Sequence, residues 1–148
     1  MMKNKEMLIL SNLRNNARES LTKLSRRTSI PVTTIHEKIK QYENNIIKKY
    51  TMIIDFGKLG FNTKVAFLIR TNREKRDKLR DYLVGNKNVN TVFKLNNEYD
   101  FMVEGIFREL IDVESFLDKL ENEFEVSEKS VFYIVDEIKR EGFMSNPD

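Results

Sequence analysis

The chain has 148 residues, 40% of them hydrophobic and 33% charged, a formal net charge of +3 and no cysteine. That is enough apolar material for one domain or two small ones, which excludes a disordered tail. It also excludes disulfides and thiolate metal sites, and no apolar run approaches the roughly 20 residues that span a bilayer. The start, MMKNKEMLIL, is charged and its apolar patch is too short for a secretory segment. The chain is therefore expected to be cytoplasmic, with no membrane partner.

The net charge is unevenly placed. Residues 1–60 hold 12 Lys and Arg against 5 Asp and Glu, a balance of +7, and residues 61–148 hold 14 against 18, a balance of −4. A basic half followed by an acidic half points to a polyanion at one end only.

Residues 5–16 read as a first helix with Leu8, Ile9, Leu10 and Leu13 on its apolar side. Ser20 is a fitting N-cap for a second helix from Leu21 to about Arg27, although Lys23 stands where a capping-box acid would be. The turn Thr28-Ser29-Ile30 leads into Pro31, which suits a helix's first turn because it has no N–H to leave unpaired. Val32, Ile35, Ile39 and Tyr42 then form one stripe, with Thr33, Thr34, Glu37, Lys40 and Gln41 facing away and His36 and Lys38 on the flanks. Asn45 stands where a left-handed residue would end the helix. Residues 46–54 alternate well enough for a strand or wing, and Asp55 to Gly60 is a turn-rich connector.

Two short helices joined by a tight turn, the second with a polar outer face, form a helix-turn-helix. Thr33 and Thr34 open that face, where an entering helix meets base edges. His36 is a further candidate DNA contact. Lys38, Lys40 and Gln41 could meet phosphate, or a base in the case of Lys40 or Gln41, and Arg14, Arg18, Lys23, Arg26 and Arg27 are candidate phosphate contacts nearby. His36 is the sole histidine and has no second ligand at metal-binding spacing, so neither a metal nor a cofactor is expected. No nucleophile–base pair or phosphate-cradling glycine loop stands in the sequence, and the chain is expected not to be an enzyme.

The second half alternates strand and helix. VAFLI in 64–70 is a strand, 73–83 a helix, and 89–95 a strand with Val89, Thr91, Phe93 and Leu95 on one face. After the Asn96-Asn97 turn come a strand over 99–104, a clear helix over 108–124 and a strand over 129–138. The β-α-β-β-α-β order is ferredoxin-like. Two helices cover one sheet face, so the apolar second face is predicted to pack on another copy of the chain.

The run Ile9-Leu10, Leu13-Arg14-Asn15-Asn16-Ala17-Arg18, Ser20, Leu24-Ser25, Ile35, Lys38-Ile39, Tyr42-Glu43, Ile47, Tyr50 and Leu59-Gly60 resembles the Lrp/AsnC, or feast/famine, transcription regulators of bacteria and archaea. Asn97-Glu98-Tyr99-Asp100 resembles that family's effector turn. The resemblance covers roughly residues 5–140. It implies an α+β protein with a winged helix-turn-helix over 1–54, a linker over 55–62, a ferredoxin-like dimerisation and effector domain over 63–140, and a tail over 141–148. It further implies binding of double-stranded DNA as a homodimer that assembles into tetramers or octamers. An amino-acid effector would bind near Asn97, Tyr99 and Asp100. The chain departs from the pattern at Asn97, where the family has Gly, and at Asn45, Tyr42 and Pro31. Two alternatives stand beside this reading. One is an enzyme like the sirohaem decarboxylases, which resemble the same architecture. The other is a DNA-organising protein of low sequence preference.

Overall fold

The computed structural model describes residues 4–146. It divides into two compact units, Met1–Ile53 with Ile138–Asp148, and Ile54–Glu137.

The first unit holds α1 (Asn4–Asn15), α2 (Leu21–Thr28) and α3 (Val32–Asn45). One residue from nearly every turn goes into a small core of Ile9, Leu10, Leu24, Ile30, Ile35 and Tyr42. Leu13, Leu21, Ile39, Ile47 and Met144 pack around it. Two details differ from the sequence expectation. Asn45 is the last helical residue and does not turn left-handed; the chain leaves α3 through Ile46 at φ −109°, ψ −43°. The expected wing over 46–54 forms no strand ladder. Its alternation signals extended backbone, but a ladder also needs a partner edge, and none pairs with it among the described residues.

The second unit begins with a 3-10 turn, Phe56–Leu59, closed by Gly60 at φ 89°. There follow β1 (Thr63–Thr71), α4 (Arg76–Gly85), β2 (Val89–Lys94), β3 (Phe101–Phe107), α5 (Leu110–Phe124) and β4 (Val126–Tyr133). The sheet order is β2-β3-β1-β4, with antiparallel pairing throughout. This is the ferredoxin-like α+β arrangement read from the sequence. The last strand starts and stops earlier than expected, at Val126 and Tyr133.

Residues directly opposite in an antiparallel pair share a face, so the register sorts the side chains. Phe67 faces Val103 on one side and Val131 on the other, and Val103 faces Val92. That row meets Leu79 and Leu83 of α4 and Val113, Phe116, Leu117 and Leu120 of α5 in the main core. Phe67, Phe107 and Phe116 form an aromatic cluster with centroids 5.2–6.2 Å apart. The opposite face carries Phe93, Met102, Leu68, Ala66 and Phe132, with Phe93 and Phe132 more than half exposed. The expected alternation of β2 fails here. A bulge between Val89 and Thr91 sets Val89 and Val92 against the core and turns Phe93 to the other face, as one inserted residue must.

Candidate nucleic-acid interface

The first unit places α3 by three local devices. Ser20 caps α2, its hydroxyl accepting the Lys23 N–H at 3.2 Å. Ser29 then takes left-handed geometry (φ 56°, ψ 30°) at the end of α2, and its N–H donates to the Ser25 carbonyl at 2.9 Å. This αL stop satisfies an orphan carbonyl and turns the chain sharply. It was not legible in the sequence, because serine has no special preference for φ > 0. Buried Ile30 anchors the turn, and Pro31 occupies the N-cap of α3 at φ −56°, ψ 142°, one place before the expected first-turn position.

Ile35 and Tyr42 are buried, Ile39 is half-buried, and Val32, at the stripe's start, is 39% exposed. With that side seated, Thr33, Thr34, His36, Glu37, Lys40 and Gln41 all stand exposed. The sequence-predicted reading face is therefore assembled on one helix.

The surrounding cations fall into two groups. Arg18, Lys23 and Arg26 are exposed, and Lys40 joins them from α3. Among the described residues none of these four makes an ion pair. The others are already engaged. Arg27 lies 3.1 Å from Glu19, and Lys38 lies 3.7 Å from Glu6. Arg14 donates from Nε to the Phe143 carbonyl at 3.0 Å and from Nη2 to the Glu141 carbonyl at 3.0 Å. Its Nη1 is 3.4 Å from the Glu141 carboxylate. The expected tail over 141–148 thus contacts α1 through Glu141 and Phe143. These acids escaped sequence reasoning because their partners meet only in the folded unit.

The other candidate group lies in the second unit. Asp100 is committed to structure: Oδ2 accepts the Thr71 N–H at 2.9 Å and Oδ1 pairs with Arg76 at 3.0 Å. Its backbone N–H donates to Ile69 and its carbonyl accepts from Leu95. The Tyr99 hydroxyl lies 2.9 Å from the Ser130 hydroxyl on the bare sheet face. Asn97 is exposed and has no left-handed φ. The turn thus does not use the geometry that a glycine there would favour. A separate open groove of about 750 Å³ is lined by Phe61, Tyr82, Asn86, Arg108, Phe116 and Lys119 among others, and by none of residues 96–100. Among the described residues no three His, Asp or Glu side chains converge as a metal site, and no helix is long and apolar enough to cross a membrane.

No protein-family model matches the chain. An uncharacterised HTH-type transcriptional regulator of Pyrococcus furiosus is 27% identical over 140 residues, 94% of each chain. The HTH-type transcriptional regulator FL11 of Pyrococcus horikoshii is 28% identical over 111 residues, 74% of each chain. In fold, the chain matches LrpC of Bacillus subtilis at a TM-score of 0.84, 21% identity and coverage of 94% and 98%. It matches a transcriptional regulator of Neisseria meningitidis, solved in complex with L-Met, at 0.86, 17% identity and coverage of 95% and 94%. The likeness to Lrp/AsnC regulators carried by the motifs therefore extends along nearly the whole chain.

Proposed function

We propose that this chain, Lrp/AsnC in fold and similar in sequence to archaeal HTH-type regulators, is a sequence-specific DNA-binding transcription regulator that acts as a dimer. One observation carries the reading: an exposed polar face on α3 sits in a unit whose Arg18, Lys23, Arg26 and Lys40 have no acidic partner among the described residues. Thr33 and Thr34 begin that face and would meet base edges, with Gln41 further along. The four cations would neutralise phosphates and give salt-dependent affinity. Arg27 and Lys38 would reach DNA only by leaving Glu19 and Glu6, and His36 is a polar contact beside the threonines.

The dimer rests on the bare sheet face. Leu68, Met102, Phe93 and Phe132 form an apolar surface of the kind a lone chain does not leave in water. A two-fold copy would cover it with itself and present two α3 helices to successive major grooves about 34 Å apart. The tetramers or octamers implied by the resemblance would be built from such dimers. An amino-acid effector belongs to the same reading on the strength of the Neisseria regulator's L-Met. At the 97–100 turn it would meet Asn97 and backbone, since Asp100 is held by Thr71 and Arg76. The enzyme alternative gains nothing from the structure: His36 is exposed on α3 and is not among the residues that line the groove in the second unit.

The test is an anisotropy titration against genomic fragments at several salt concentrations, with and without amino acids. A preferred site with half-sites one helical turn apart is the expected result. Uniform weak binding at every salt would leave only the DNA-organising reading.

A further inference from the structure

We propose that the C-terminal segment Glu141–Asn146 is an internal brace on the helix-turn-helix unit that withholds Arg14 from phosphate. The segment is built for that contact. Glu141 and Met144 both hold left-handed backbone, at φ 54° and 57°, which costs a non-glycine residue energy and persists only where surroundings fix it. The Ser145 hydroxyl donates to the Gly142 carbonyl at 2.9 Å and closes the loop. Within it, two carbonyls converge on one guanidinium: Arg14 reaches Phe143 O and Glu141 O, each at 3.0 Å, with the Glu141 carboxylate alongside.

Met144 packs against the small core, but the Phe143 ring is 85% exposed and Ile138 is 92% exposed. Beside the Met144 contact, the loop is fixed by charge-assisted hydrogen bonds to Arg14, stronger than neutral ones. A guanidinium has a limited set of donors in a rigid fork. With Nε and both terminal nitrogens each giving an N–H to the loop, only two of the five donors remain for a phosphate, and the Glu141 carboxylate repels one.

The masking depends on the DNA-binding reading; the brace itself does not. The experiment compares the full chain, a chain ending at Arg140, Glu141→Gln, and Arg14→Ala in both lengths. Salt-dependent DNA affinity and hydrogen exchange of the α1 amides are read on each. In the shortened chain the slope of log affinity on log salt should steepen by about 0.9 for each arginine released. Arg14→Ala should abolish that gain there and leave the full chain's slope unchanged. Glu141→Gln, which keeps the carbonyl contacts and so the fold, should shift the slope the same way by less. An unchanged slope in the shortened chain, or a reduced slope in full-length Arg14→Ala, overturns the masking. If the full chain binds no DNA at any salt, the functional reading has failed and the exchange arm decides the brace. Protection at the end of α1 should then drop about tenfold on truncation, and unaltered protection overturns it.

Discussion

The two units bury themselves by different means. The second wraps a four-stranded sheet around phenylalanines, with Phe67, Phe107 and Phe116 in mutual contact and two helices closing one face. The first shows no aromatic cluster among the described residues; Tyr42 joins isoleucines and leucines in its core, and a loop from the far end of the chain adds Met144. Small units bury a smaller share of their surface and have less to lose. The unit that holds α3 is therefore the one with the thinner reserve, and the exposed surface of α3 and its neighbours is given over to polar and cationic groups rather than to packing.

The largest test of that contrast is a matched pair of core truncations. Phe67→Ala should cost about 3–5 kcal/mol and Ile35→Ala about 2–5 kcal/mol. Hydrogen exchange read by mass spectrometry should place each loss mainly in its own unit. The smaller number is expected to do more damage to function, since Ile35 seats α3 and its unit has less stability to spare. Joint opening of both units in either variant would break the comparison.

A smaller effect separates the two kinds of residue on the surface proposed to meet DNA. Thr34→Ala should cost about 1–3 kcal/mol at one position of the preferred site and little on other sequences, if it touches a base. Arg26→Ala should weaken all sequences alike and flatten the salt slope by about 0.9 for each phosphate that Arg26 neutralises. Titrations on matched and scrambled sites read both. Equal loss on both sites for Thr34→Ala would move the protein towards DNA organisation without sequence choice.

What the sequence made legible follows from range. Features set by neighbours a few residues apart were readable: the Ser20 cap, the α3 stripe, the α5 face and the strand–helix order of the second unit. Features that depend on a distant partner were not. The stretch 46–54 alternates like a strand and finds no ladder. The bulge at Asn90 moved Phe93 across the sheet, which no periodicity could announce. The site divides the same way. The exposed face of α3 was readable, whereas the quenching of Arg14, Arg27 and Lys38 by Glu141, Glu19 and Glu6 required the fold.

Tyr42 offers the finest probe of the small core. Its ring is 3% exposed and its hydroxyl has no hydrogen-bond partner among the described residues. A buried hydroxyl left unpaired costs desolvation with nothing returned. Tyr42→Phe keeps the ring and removes that cost, so stability at pH 7 should be unchanged or higher by about 1 kcal/mol. The same burial, with Glu6 adding to it, raises the Tyr42 phenol above its ordinary 10.0. A proton held more tightly in the folded chain than in the unfolded one contributes stability that is complete below pH 10 and is lost as pH climbs through the folded value. The intact protein should therefore lose more stability between pH 7 and about pH 11 than Tyr42→Phe does. Urea midpoints of the first unit at both pH values measure the difference. Parallel losses in the two proteins would mean that the hydroxyl meets water in the folded state, and that the small core is less closed than its neighbour.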